Sequence, residues 1–113
     1  MISVTHRFHG YNSLQGVYKR GQSVRGSLLS LKFAQRGPNR PYRVAVVVSR
    51  KVNKSAVVRN RIRRRIYEVV RRSGHTIKPG TDLVFTVFSD KIADLPATEL
   101  QTLMDRLLNK TTD

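Results

Sequence analysis

No carboxylate appears in the first 67 residues of this chain. Residues 1–67 carry 16 Lys or Arg and no Asp or Glu, whereas residues 68–113 carry 6 basic and 7 acidic side chains. The net charge is +15. A surface that only has to stay soluble mixes its signs. More than half a chain without one acid leaves repulsion uncompensated, which costs stability unless a polyanion normally lies against it. Nucleic acid is the first candidate for that polyanion, and an anionic membrane surface is the second. A membrane binder would want a long basic amphipathic helix with bulky apolar residues free to enter lipid. The basic helix found below has a core to face instead.

At 113 residues the chain is one domain by length, residues 1–113. A chain of this size buries about two-thirds of the surface its unfolded form exposes, enough for a real core. With 39% apolar residues it is not disordered throughout. The absence of Cys excludes disulfides, thiolate zinc sites and cysteine nucleophiles, and suits a reducing, cytoplasmic setting. The first residues lack an apolar signal core, and the longest apolar run is only residues 44–48, too short to span a bilayer.

Residues 1–11 read as irregular and flexible, and 111–113 as a tail. His6 and His9 are spaced like metal ligands but have no third ligand nearby. Residues 13–21 read as a short helix with Leu14, Val17 and Tyr18 on one face and Gly21 as its stop. Residues 27–33 partly alternate, setting Leu29, Leu31 and Phe33 on one face. Residues 36–41, Arg-Gly-Pro-Asn-Arg-Pro, are turn-rich, and residues 43–49 form a β-branched strand. These two strands read as a hairpin with a long loop. A third strand spans residues 82–88. The final segment has Pro96 near its start and Leu100, Leu103, Met104, Leu107 and Leu108 at helical spacing.

Between the second and third strands lies the most informative element, Ala56–Arg72, with Ser55 as its N-cap. Val58, Ile62, Ile66, Val69 and Val70 fall within an arc of about 120°. Arg61, Arg64, Arg65, Arg71 and Arg72 take the other side, and Arg59 and Arg63 the edge. The pairs Arg59/Arg63 and Arg61/Arg65 place like charges four residues apart, each unfavourable by roughly 0.2–0.5 kcal/mol. Phosphates would supply the missing counter-charge. Arginine suits them, because its planar fork pairs phosphate bidentately and stacks on bases.

No catalytic apparatus accompanies this charge. A protein-only nuclease needs an acid–base pair or carboxylates clustered on metal ions. The seven acids, Glu68, Asp82, Asp90, Asp94, Glu99, Asp105 and Asp113, show no ligand-like spacing. Phosphate-binding glycine loops and the motifs of the common single-strand RNA modules are absent too. The reading is therefore no catalytic residue and no protein-held metal.

Residues 49–64, Ser-Arg-Lys-Val-Asn-Lys-Ser-Ala-Val-Val-Arg-Asn-Arg-Ile-Arg-Arg, closely resemble the signature of the protein subunit of bacterial ribonuclease P. Residues 17–26 resemble that family's first helix and turn. Lys78-Pro79-Gly80-Thr81-Asp82 before a strand and Ala93-Asp94-Leu95 before a final helix match in order and spacing. The resemblance covers about residues 7–110. It implies an α+β fold, a small α/β sandwich of order α-β-β-(α)-β-α with a left-handed strand–helix–strand crossover. It also implies a ribonucleoprotein whose RNA subunit performs Mg²⁺-dependent removal of the 5′ leader from precursor tRNA, the Mg²⁺ being held mainly by that RNA. The partners implied are the catalytic RNA and leader-bearing precursor tRNA, with no membrane and no obligate protein partner. Arg50, Lys51, Lys54, Arg59, Asn60, Arg61, Arg63 and Arg64 are then expected to contact the catalytic RNA. Leu14, Val17, Tyr18 and Lys32 are expected to line the leader cleft.

The match has departures. Leu14 stands where the family often has Phe, Lys32 replaces a tyrosine of the sheet face, and Tyr67 replaces an arginine late in the basic helix. Stacking on the leader is expected to weaken accordingly, with Lys32 meeting a phosphate. The alternative is a ribosomal or other RNA-packing protein with no part in catalysis. A helix-turn-helix DNA binder ranks third, since it needs a second helix where the sequence offers a strand.

Overall fold

Apolar positions from the strands and from the two long helices meet on one side of a four-stranded sheet. The computed structural model describes His6, Phe8 and residues 11–111. In order, the elements are α1 (Tyr11–Arg20), β1 (Gln22–Arg25), β2 (Leu29–Gln35), β3 (Arg43–Val47), α2 (Ala56–Arg72), β4 (Thr81–Val87) and α3 (Ala97–Asn109). Short 3-10 turns lie at Gly74–Thr76 and Asp90–Ala93.

The sheet order is β1-β2-β4-β3. The expected hairpin between β2 and β3 does not form, because β4 inserts between them. It runs antiparallel to β2, with Leu31 opposite Phe85, and parallel to β3, with Val46 opposite Phe85. The physical reason is in β4 itself. Thr81 to Phe85 are buried without alternation, so both faces of this strand must be covered, and only a central position does that. The 36–41 connection is therefore no hairpin loop. It passes the start of β4, where the Arg36 N–H donates to the Gly80 carbonyl at 2.8 Å. Gly80 has φ +81°, and a Cβ there would fall 1.8 Å from the Gly37 carbonyl oxygen, so only glycine fits.

One strand escaped the sequence reading. Gln22–Arg25 pairs antiparallel with β2 at the sheet edge, and it is short and mostly exposed. Only Val24 packs against the core, too weak a pattern to distinguish from a turn. The order is thus α-β-β-β-α-β-α, one strand longer than expected.

The core is built as the periodicities require. Leu29, Leu31, Val44, Val46, Leu83 and Phe85 point to one face of the sheet and are buried against α2 and α3. From α2 come Ile62, Ile66, Val69 and Val70, and from α3 come Leu100, Met104, Leu107 and Leu108. Ser55 caps α2, its hydroxyl accepting the Val58 N–H at 3.4 Å. Its own N–H donates to Asn53 Oδ1 at 2.8 Å, which fixes the chain's entry into the helix.

Candidate nucleic-acid interface

The opposite face of the sheet carries α1. Val17 and Val84 are both fully buried yet stand apart from the main core cluster, so they seat α1 on β4 and β2. Gly21 ends the helix. Its N–H donates to the Val17 carbonyl at 2.7 Å, and a Cβ there would fall 2.4 Å from that oxygen. The close turn brings the end of α1 directly onto β2.

Beside this seat the face is open. Tyr18 is 42% exposed, and the Lys32 ammonium lies 5.6 Å from its ring centroid. In register with Lys32 are Ser23 on β1, Val84 on β4 and, beyond it, Ala45 on β3. The next row, Arg25, Ser30, Thr86 and Val47, is only half-buried or exposed. Leu14 is half-buried on the same helix. Val17 is different. With no exposed surface it can hold α1 in place but cannot touch a bound strand, which corrects its expected place in the cleft lining.

The cationic side is sorted the same way. Arg50, Lys51 and Lys54 are exposed on the connection from β3 into α2, and Asn60, Arg61 and Arg64 on the first turns of that helix. Arg61 meets Asp94 at 3.4 Å, but both side chains are largely exposed and such a pair contributes little. Arg59 is half-buried and donates to the carbonyls of Asn53 and Lys54 at 3.0 and 2.9 Å, so it holds the loop ahead of the helix. Arg63 donates to Asn60 Oδ1 at 2.7 Å and to the Val48 carbonyl at 3.3 Å. Arg65 does not face solvent as its helical angle suggests. Its guanidinium reaches the carbonyls of Ile92, at 2.6 Å, and Leu95, tying α2 to the segment before α3.

The carboxylates are dispersed. Glu68 is bound by Arg71, whose hydrogen bond holds its carboxyl below the usual range. Asp90 accepts from Asn53 Nδ2 at 3.1 Å, and Asp105 from Gln101 at 2.8 Å. Asp82 is fully buried between Arg36 and Arg43. Among the described residues no three His, Asp or Glu side chains come together as a metal site. His6, expected in a flexible segment, stacks on Tyr42 with centroids 3.8 Å apart, and its Nδ1 donates to the Tyr42 carbonyl at 2.9 Å. Phe8 lies under the Arg43 guanidinium at 4.6 Å. His9 and the paired metal-ligand reading fall outside the described residues.

Two side chains on this surface were not picked out from the sequence. Phe88, just after β4, is 44% exposed, and the Arg25 guanidinium sits 5.1 Å from its ring. The alternation Asp82, Val84, Thr86 already pointed Phe88 toward the α1 face, but the missed edge strand hid its cation.

The ribonuclease P family model matches residues 2–112. A "Ribonuclease P protein component" from a Synechococcus strain is 34% identical over 97% of this chain and 84% of its own length. One from Chloroflexus aurantiacus is 42% identical over 93% of this chain and 76% of its own. The solved RNase P protein of Staphylococcus aureus superposes with a TM-score of 0.81 at 23% identity, covering 94% of each chain, which establishes the shared fold. Nothing in these matches supports a ribosomal or RNA-packing protein. An acid-free basic half, an Arg-Asn-Arg helix start beside a parallel strand pair, and a family match along the whole sequence place this chain in the ribonuclease P protein family, as the protein subunit of an RNA-based ribonuclease.

Proposed function

We propose that the chain grips two RNAs with two adjoining surfaces. The exposed cations Arg50, Lys51, Lys54, Arg61 and Arg64, with Asn60, contact the catalytic RNA subunit. Arg59 and Arg63 serve that surface by fixing the loop and helix start that present it. The cleft beside α1, with Tyr18, Lys32 and Leu14 at its wall, takes the 5′ leader of precursor tRNA in the cytoplasm. Mg²⁺, held mainly by the RNA subunit, supplies the charge stabilisation of cleavage in this reading. The single observation that carries the leader assignment is the exposed Tyr18 ring beside the Lys32 ammonium. A single strand suits such a pair, because every base has a π-face and every linkage a phosphate.

Replacing Tyr18 by Ala tests this directly. Binding of leader-bearing precursor tRNA by the holoenzyme should weaken by roughly 1–3 kcal/mol, the worth of one base–aromatic stack. Binding of leaderless tRNA and of the RNA subunit should stay unchanged. Equal weakening of leader-bearing and mature tRNA would reduce Tyr18 to packing.

The cationic surface makes a separate prediction about salt. Five phosphate contacts should make log affinity for the RNA subunit fall with log salt at a slope of about −3.5 to −4.5. Replacing Arg61 or Arg64 by Gln should each remove about 0.7–0.9 from that slope, measured by filter binding across a salt series. A flat dependence would show these charges to be idle.

A further inference from the structure

Among the described residues three large apolar side chains are exposed, Tyr18, Val57 and Phe88. Both aromatic ones lie under a cation, Tyr18 under Lys32 and Phe88 under Arg25. The two pairs share one face of the sheet. Ser23 is opposite Lys32 and Arg25 opposite Ser30, so the alternation along β1 and β2 turns Arg25 and Lys32 the same way. Val84, level with Lys32, precedes Phe88 by four residues. At about 3.3 Å per residue Phe88 stands roughly 13 Å along the strand from the Lys32 row, with Arg25 between them about 7 Å from that row. The longer distance fits about four nucleotides of a stacked strand at ~3.4 Å each, and fewer in an extended one.

The surroundings argue for nucleic acid over protein at Phe88. A protein partner would want a contiguous apolar patch. Here a lone ring is bounded by Arg25 and followed by the polar Ser89. The path continues toward the cationic surface. Asp90 is tied to Asn53 at 3.1 Å, in the connection that bears Arg50, Lys51 and Lys54. A strand entering beside Tyr18 and leaving toward α2 crosses the end of β4, where Phe88 waits.

We propose that Arg25 and Phe88 form a second stacking station for the single-stranded leader, two to four nucleotides from the one at Tyr18. Phe88 receives a base and Arg25 the adjoining phosphate. This rests on the leader-cleft reading above and adds a length dependence to it.

The test uses reconstituted holoenzyme and precursor tRNAs with leaders of two and eight nucleotides, alongside mature tRNA. Phe88→Ala should weaken binding of the long leader about tenfold while leaving the two-nucleotide leader and mature tRNA unchanged. Phe88→Leu, which keeps an apolar side chain but no π-face, should lose as much, and Phe88→Tyr should restore binding. Tyr18→Ala should weaken short and long leaders alike. If Phe88→Ala and Phe88→Leu bind the long leader normally while Tyr18→Ala does not, the second station is overturned and the cleft stands. If Tyr18→Ala has no effect on any leader, the cleft reading itself fails. Weakening of all three RNAs by Phe88→Leu, with an unchanged melting temperature, would also overturn the station, since it would place Phe88 against the tRNA body or the RNA subunit.

Discussion

Protein freed of all RNA is expected to leave precursor tRNA uncut, and the same protein with its RNA subunit and Mg²⁺ is expected to release the 5′ leader. Hydrolysis of a phosphodiester needs a base for the attacking water and positive charge on the developing oxyanion. The described side chains supply the charge in abundance, and no three His, Asp or Glu among them come together as a metal site. Glu68, Asp82, Asp90, Asp94 and Asp105 each have a partner, and Asp90 and Asp94, which flank one 3-10 turn and line the same surface pocket, are held by Asn53 and Arg61. His6 is stacked on Tyr42, while His75 lies in the turn after α2. Abundant exposed arginine suits the binding of phosphates. The measurement is gel analysis of end-labelled precursor tRNA, using protein purified under denaturing conditions, treated with nuclease and refolded. Specific cleavage at the mature 5′ end by that preparation would overturn the division of labour. Loss of cleavage from the reconstituted enzyme when the protein is withheld at low Mg²⁺ would show what the cations contribute.

Much of this was legible in the residues because two signals were strong and agreed. Helix α2 announced itself by five apolar residues in one arc, and the structure buries four of them. Its N-cap at Ser55 followed from local chemistry alone. The leucine stripe of α3 packed as its spacing required, with Leu103 at the margin. Strand pairing was less legible, since β2 and β3 are neighbours in sequence and the turn-rich 36–41 segment looked like a hairpin loop. What decides against a hairpin is the need of β4 to be covered on both faces, a property of the assembled sheet rather than of either strand.

The site shows the same division. Composition marked the basic half as an RNA-binding surface but treated its cations as equivalent. The structure separates them by what their guanidinium groups reach. Arg59 and Arg65 are consumed by backbone carbonyls, and Arg36 and Arg43 by Asp82, whereas Arg50, Lys51, Lys54, Arg61 and Arg64 around the start of α2 stay exposed. Val17 was misplaced for a related reason. A helix of ten residues with Leu14, Val17 and Tyr18 on one face does not reveal which of the three sits at the centre of the contact. Burial of Val17 against the sheet, with Tyr18 left at the rim, is a result of where Gly21 turns the chain.

Replacing Asp82 by Asn should cost the fold more than any change on the RNA-binding surface. Asp82 is fully buried, and its two oxygens accept from Arg36 Nε at 2.7 Å and from Arg43 at 2.9 and 2.8 Å. The two arginine side chains are only 15% and 17% exposed. An amide keeps the shape of the carboxylate but removes the charge and one acceptor, leaving two cations side by side with little water. Breaking a buried pair by removing one partner costs about 3–5 kcal/mol, and the slight access of water favours the lower end, about 3 kcal/mol. At roughly 4 °C per kcal/mol for a domain of this size, the melting temperature should fall by about 12 °C. Arg36 also donates to the Pro41 carbonyl at 2.6 Å, and Arg43 stacks on Phe8, so this one carboxylate anchors both the connection from β2 to β3 and part of the amino-terminal segment. Replacing Asp82, Arg36 and Arg43 together by Leu, Met and Met should recover much of the loss, because apolar packing can stand in for a buried ion cluster. RNA binding by that triple variant should match the parent at low temperature, since neither arginine belongs to the exposed surface. An Asp82→Asn protein that melts with the parent would show the cluster to be ornamental. A stable triple variant that no longer binds RNA would return Arg36 and Arg43 to the interface.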